Sequence, residues 1–294
     1  MKIKKGIEFD YNELANAYDF PLKGCKVKKV TSRMFPILLD KNDFNGVGYA
    51  VLDRCGLVDF EQIDKWYQIR GVLAEYFAGR YIKEMYKEKL GVDLTMKHFT
   101  TKSANYDFFA TNPRFGGVVD WGISKPIEYR AVVEVKSKTL EKDDWKDKTK
   151  KINYFDEIIK KKNAPQEEVL QGKFLAHLSK VDKLLMAYVF FSEIQEKKIQ
   201  TGMHTIDDVD NFDIEKFLKF IGLAYEHVKI GMLKYDIDHE EMEELMNKAY
   251  DTLHHIIELD YIHEMHFRDK EKADLNKQLS EKTGVVISND EPPF

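Results

Sequence analysis

The segment Val132-Val133-Glu134-Val135-Lys136-Ser137 places a carboxylate and an ammonium two residues apart in an apolar run. Side chains alternate along a strand, so Glu134 and Lys136 project from one face. Charges on such a face are costly to bury without partners. Asp120 lies upstream, beyond the turn signal Ser124-Lys125-Pro126. Folded as a hairpin about Ile127, the two runs set Asp120 and Glu134 opposite each other. Facing carboxylates repel unless a cation lies between them. Hard oxygen donors suit Mg²⁺ or Mn²⁺. Such an ion polarises a phosphodiester oxygen, lowers the pKa of a bound water and neutralises transition-state charge. Lys136 would orient that water or stabilise the developing charge. The competing reading is a plain surface ion pair of Glu134 with Lys136 and an unrelated Asp120, since Glu-x-Lys alone is common.

Two further residues belong with this group. Glu75 stands in a helical segment between Gly71 and Gly79, with Ala74 and Ala78 nearby. Glycine inside a helix costs about 1 kcal/mol against alanine, so the pair suggests close approach of another backbone or of a ligand. Tight helix-to-sheet packing with a solvated Glu75 explains the glycines equally well. Gln171 borders the apolar stripe Leu170, Phe174 and Leu178, where an amide has a hydrogen-bonding role. Taken alone, capping of a backbone group is the simpler role.

The elements that must position these residues are legible in outline. Over 61–89, Ile63, Trp66, Tyr67, Val72, Leu73, Tyr76, Phe77, Tyr81 and Met85 recur at helical spacing, with Gly91 as the stop. Strands are expected at about 115–123 and 129–138. The lysine-rich stretch 139–163 gives no clear pattern. Pro165 fits the first turn of a helix to about Ser179, with Glu167 and Glu168 at its positive end. Leu184 to Phe191 reads as a buried strand. From Asp213 to about Phe267 the pattern reads as two amphipathic helices, one carrying Ile214, Phe217, Leu218, Ile221 and Val228, the other Met242 to Ile256.

In this order the segments resemble the PD-(D/E)xK nuclease superfamily, in its YqaJ-like, lambda-exonuclease-like and RecB-nuclease-like branch. The matching pieces are Arg70-Gly71-Val72-Leu73-Ala74-Glu75, Gly116-Gly117-Val118-Val119-Asp120, Val133-Glu134-Val135-Lys136-Ser137 and Pro165 to Gln171, followed by the strand at Leu184. The likeness spans about residues 30–192. It implies an α-β-β-β-α-β core within an α/β (α+β), restriction-endonuclease-like fold: a central mixed sheet flanked by helices, with a C-terminal helical extension. It implies that Asp120, Glu134 and the Val135 carbonyl bind metal, that Glu75 completes a second metal site, giving two Mg²⁺ (or Mn²⁺) ions, that Lys136 acts on the nucleophilic water, and that Gln171 orients this group. Val30-Thr31-Ser32-Arg33 resembles a segment that holds a DNA 5′-phosphate, which casts Ser32 and Arg33 as DNA contacts. The Pro-Asp pair that names the superfamily is absent, since Asp120 follows Val119. An iron–sulfur branch needing four cysteines is disfavoured by the presence of Cys25 and Cys55 alone.

The expected domains are a nuclease domain over 1–205, a helical extension over 206–278 and a flexible acidic tail over 279–294. The expected activity is a metal-dependent exonuclease on linear double-stranded DNA, 5′-to-3′, in phage-type recombination or repair. The alternatives are a structure- or sequence-specific endonuclease of the same superfamily and a non-catalytic DNA- or partner-binding protein on a nuclease scaffold. Composition fits a soluble protein, with 43% hydrophobic and 33% charged residues over 294 positions. The longest apolar run, Leu184 to Phe191, is too short to span a bilayer, and no apolar stretch follows the basic start, so the expectation is a cytoplasmic protein of a bacterial or phage-infected cell with no membrane partner. The net charge of -5 decides nothing about nucleic acid, because phosphate contacts depend on local patches such as the nine lysines against six acids from Lys138 to Lys162. His254, His255, His263 and His266 suggest a metal site, but His263-Glu264-Met265-His266 lacks the His-Glu-x-x-His spacing, so these imidazoles read as ordinary surface residues. The end, Ile287 to Phe294, resembles the acidic, Pro-Phe-ending tip of single-stranded-DNA-binding proteins. Pro293 and Phe294 are therefore candidate contacts for a single-strand annealing or replication protein. A homo-oligomer is a further expected partner state.

Overall fold

The structure, a computed structural model, describes residues 2–3, 29–39, 58–59, 63–100, 108–143 and 151–258. Cys25, Cys55, His263, His266, Pro293 and Phe294 lie outside these residues, as do most of the N-terminal lysines. The chain divides into two compact units, one formed by 63–111 and 117–242, the other by 1–62, 112–116 and 243–294.

The first unit is built on a five-stranded mixed sheet flanked by helices. In chain order its elements are α2 (Lys65–Leu90), β4 (Thr95–His98), β6 (Trp121–Lys125), β7 (Ala131–Thr139), β8 (Glu141–Asp143), β9 (Lys151–Asn153), α3 (Gln166–Leu178), β10 (Lys183–Phe191), α4 (Glu193–Gly202), α5 (Ile214–Ile221) and β11 (Lys229–Asp236). The sheet order is β11-β10-β7-β6-β4. The sequence α2, β4, β6, β7, α3, β10 is the expected α-β-β-β-α-β core. β7 pairs antiparallel with β6 through a short turn, whereas its parallel pairing with β10 needs the crossover that carries α3.

α2 and α3 form where the sequence signals them, whereas α4 and the short α1 (Met34–Leu39) lie in stretches that carry no helix expectation. α2 ends on Gly91, whose left-handed φ of 66° lets its N–H bond back to Lys87. Lys87 and Lys89 complement the negative end of the helix. Its buried face, Ile69, Leu73, Phe77 and Ile82, packs with Ile123, Ala131 and Val133 and with Leu185, Ala187, Val189 and Phe191 of β10. α4 opens with a capping box, in which Ser192 and Gln195 satisfy each other's backbone amides. β10 is buried on both sides, which explains its unbroken apolar run.

Three expectations change. The first strand divides: Phe115–Gly116 forms β5, which belongs to the second unit, and β6 starts only at Trp121. The lysine-rich stretch contains the β8–β9 hairpin, with 144–150 outside the described residues. Finally, the helical reading beyond Asp213 fails between Gly222 and Asp236. Gly222 takes a left-handed φ of 60° and stops α5, and β11 then completes the central sheet against β10. Its alternating burial has the two-residue period of a strand, so Val228 belongs to the approach to β11 and not to the α5 stripe.

The second unit contains β1 (Lys2–Ile3) paired with β3 (Val58–Asp59), and β2 (Val30–Thr31) paired in parallel with β5. It also holds α1 (Met34–Leu39) and most of α6 (His239–Glu258). Within it Arg114 reaches Asn247 at 3.1 Å, and the His254 ring centroid lies 4.2 Å from that of Tyr250, with Nε2 buried and without a hydrogen-bond partner among the described residues.

Candidate active site

The β6–β7 register pairs Trp121 with Val133, Gly122 with Val132 and Ile123 with Ala131. Extending that register by one residue sets Asp120 against Glu134, as the hairpin reading requires. Asp120 lies just before β6, where its backbone carbonyl accepts the Phe99 N–H at 2.9 Å. Its Oδ2 accepts the Val135 N–H at 2.7 Å, so the carboxylate caps the neighbouring strand where backbone pairing with β6 has ended.

Glu134 and Lys136 share a face of β7, and Lys136 Nζ donates to Glu134 Oε1 at 2.8 Å. It also donates to Gln171 Oε1 at 2.8 Å. Gln171 therefore holds the lysine from α3, and among the described residues it caps no backbone group. Glu134 is 7% exposed, so this is a desolvated pair and not a surface ion pair.

A parallel contact lies one rung further along. Lys138 is ion-paired with Glu168, three residues before Gln171 on α3. Tyr188 of β10 stands beside them. Burial, reinforced by the Glu168 carboxylate, raises its phenol far above the usual range, so it is neutral at physiological pH. Neither Tyr188 Oη nor Glu168 Oε2 closes a hydrogen bond of normal geometry. Glu168 is a site-flanking acid that its place at the helix start concealed. Its i, i+3 relation to Gln171, facing the i, i+2 pair of lysines, was the available signal.

Glu75 is held from another direction. His98 of β4 lies with Nε2 2.5 Å from Glu75 Oε2. The imidazole stacks on the Trp121 indole at 4.5 Å, and Trp121 Nε1 donates to the Glu75 carbonyl at 3.1 Å. His98 and Trp121 carried no motif in the sequence. Their roles arise from the pairing of His98 with Trp121 across β4 and β6. The two glycines around Glu75 now separate. A Cβ on Gly79 would lie 2.4 Å from the Trp121 ring, whereas one on Gly71 would meet nothing within 4 Å. Gly79→Ala is expected to cost about 1–3 kcal/mol in a urea denaturation through overpacking. Gly71→Ala should instead gain about 0.5–1 kcal/mol from helix propensity. Equal effects at the two positions would remove the indole contact as the reason for Gly79.

The electrostatics identify an excess of negative charge. The Asp120 carboxyl is crowded by protein atoms although the residue keeps some solvent access. Burial, then the Glu134 and Glu75 carboxylates, hold its pKa well above the ordinary 3.8, against the pull of the Val135 amide and Lys136. Burial by itself would lower the Lys136 ammonium, but Glu134, Asp120 and Glu168 outweigh it and raise its pKa. Lys136 is a firm cation matched to Glu134, and Lys138 is matched to Glu168. Asp120 is met by a backbone amide and Glu75 by an imidazole.

The donor set of carboxylates with an adjacent strand carbonyl has the hard-oxygen chemistry that Mg²⁺ or Mn²⁺ accepts. Among the described residues, no three His, Cys, Asp or Glu side chains are drawn together as a ready-made metal cage. Lys136 takes up Glu134 and His98 takes up Glu75 in their place. Of the other sequence candidates, Ser32 and Arg33 form the turn before α1 in the second unit, with Arg33 exposed. No described helix is long and apolar enough to cross a membrane.

No family model matches the chain, and no curated protein matches it. Among solved structures, the chain is similar to an alkaline exonuclease from Laribacter hongkongensis at 14% identity and a TM-score of 0.44, over 86% of this chain and 98% of that one. The same exonuclease in complex with dAMP aligns at 13% identity and 0.41, over 85% and 96% of the two chains. A phage-related exonuclease from Haemophilus somnus 129PT aligns at 12% identity and 0.41, over 79% and 95%.

Proposed function

We propose that this chain is a divalent-metal-dependent deoxyribonuclease that hydrolyses phosphodiester bonds of linear double-stranded DNA as a 5′-to-3′ exonuclease. The observation that carries the reading is the gathering of Asp120, Glu134, Lys136 and Gln171 at the β6–β7 junction, with Asp120 left short of a cation. Asp120, Glu134 and the Val135 carbonyl would hold Mg²⁺ or Mn²⁺, with Glu75 toward a second ion. Such a metal supplies an activated water and neutralises charge on the scissile phosphate.

The chain's own residues do the rest. Lys136 stays protonated, so it does not act as a base. It offers an ammonium to the charge that develops on the phosphate or to the attacking water. Gln171 keeps that ammonium on the Glu134 side of the site. The exonuclease form follows from the order of the sequence segments, including Ser32 and Arg33 as contacts to a 5′-phosphate. Mg²⁺-supported digestion of end-labelled linear duplex, with and without 5′-phosphate, beside closed-circular DNA tests it. Linear DNA is expected to be degraded from its ends and circles to survive. Circles cut as fast as linear DNA would identify an endonuclease.

A further inference from the structure

A groove of about 540 Å³ opens on the sheet next to the site. Its floor includes Gly122 and Val132, which face each other in the β6–β7 register. Asp120 and Glu134 are the next same-face positions, two residues along each chain segment, so the groove begins one pleat from the carboxylates. It lies on the face toward which Glu134 and Lys136 project. The opposite face, carrying Ile123 and Val133, is covered by α2.

The walls are aromatic and the rim is cationic. Phe99 and Phe108 meet edge to face at 4.9 Å, and Phe108 is 43% exposed. Lys97 Nζ lies 5.0 Å from the Phe99 ring, and Arg130 lines the other side. A Cβ on Gly122 would approach the Phe99 ring to 3.3 Å, so the glycine lets that ring lie close over the strand. Phe99 is tied to the site itself, since its N–H bonds to the Asp120 carbonyl.

We propose that this groove seats unpaired nucleobases of a DNA strand running to the Asp120–Glu134 site, with Phe108 and Phe99 as stacking surfaces and Lys97 and Arg130 as phosphate contacts. The identification of the strand as substrate rests on the nuclease reading above. The chemistry of the groove is independent of it. Duplex DNA hides its base faces, so exposed aromatic rings beside cations are useful to a single strand and of little use to a duplex. Stacking of this kind tolerates any base, as an enzyme that degrades DNA without regard to sequence requires.

The test is anisotropy of a short fluorescein-labelled oligothymidylate with the full-length chain, in metal-free buffer. Phe108→Ala is expected to weaken binding about 10-fold, the loss of one stacked base. Phe108→Trp, which keeps an aromatic face, should retain affinity. Arg130→Glu should lower the salt dependence by about one phosphate contact. Binding of a blunt duplex should not change in the alanine variant. Unchanged oligothymidylate affinity in Phe108→Ala and Arg130→Glu, with wild-type cleavage retained, would overturn the groove and leave the nuclease reading standing. Weakened affinity in a protein whose wild type cleaves nothing with Mg²⁺ would keep the groove and overturn the nuclease reading. Unchanged affinity together with a smaller sedimenting species for Phe108→Ala would show that a second copy of the chain covers the groove, which overturns the proposal.

Discussion

Lys136→Ala is expected to bind DNA with near-wild-type affinity and to cleave it about 10²–10³-fold more slowly, the usual cost of removing one preorganised charge from a transition state. Lys136 donates to Glu134 and Gln171 at 2.8 Å and is 20% exposed, so its ammonium is fixed before substrate arrives. Its raised pKa keeps it charged across physiological pH, and the loss should not be recovered by working at higher pH. Lys138→Ala is the informative control. It removes a cation from the same face of the same strand, but one matched to Glu168, and its effect on cleavage should be much smaller. Single-turnover cleavage with saturating enzyme separates the chemical step from binding. Equal cleavage by Lys136→Ala and wild type would remove this residue from the mechanism.

Asp120→Asn should have the second large effect, with two readouts of opposite sign. Cleavage should fall to background, because an amide replaces the anionic donor. In metal-free buffer at neutral pH, however, the variant should be more stable than wild type. The folded-state pKa of Asp120 is raised above its ordinary 3.8, chiefly by burial and then by Glu134 and Glu75. A carboxyl raised on folding contributes stability that is fully present below the unfolded value and is lost as pH rises through the folded value. The Asp120 contribution to metal-free stability should therefore be lost as pH climbs above about 4, so the stability of wild type relative to Asp120→Asn should fall over that window. Asparagine Oδ1 can still accept from Val135, so the strand contact is retained. Adding Mg²⁺ at about 100 times its Kd should stabilise wild type by about 2.7 kcal/mol and the variant far less. Thermal melts across pH, with and without Mg²⁺, check both halves. An identical Mg²⁺ shift in the two proteins would show that Asp120 is not a ligand.

How much of this was legible depends on whether a contact is local in sequence. Glu134 and Lys136 were placed by strand periodicity alone. Asp120 was placed opposite Glu134 by a hairpin count, and the register of β6 and β7 agrees. Gln171 is tied to the group by the resemblance alone, because its contact with Lys136 crosses a parallel connection that no local pattern encodes. His98 and Trp121 were invisible for the same reason, since their meaning comes from pairing β4 with β6. β11 resembles a continuation of α5 in sequence because the two share apolar residues at compatible spacings, and only the left-handed Gly222 separates them. Glu168 was seen as a complement to the helix dipole. Its pairing with Lys138 shows that one residue can serve a helix terminus and flank a charged site at once.

The parallel pairing of β7 with β10 also dictates the order in which the candidate site is assembled. β7 carries the key acid and amine, yet one of its two neighbours is not made until residue 191. Parallel pairs close long loops before they gain contacts, so they form late. A ribosome-bound chain ending short of β10 would hold Glu134 and Lys136 on an unfinished edge, with Gln171 not yet anchored. The Glu134–Lys136–Gln171 arrangement is thus completed only once the crossover docks, so on the proposed nuclease reading an incompletely synthesised chain should not cleave DNA.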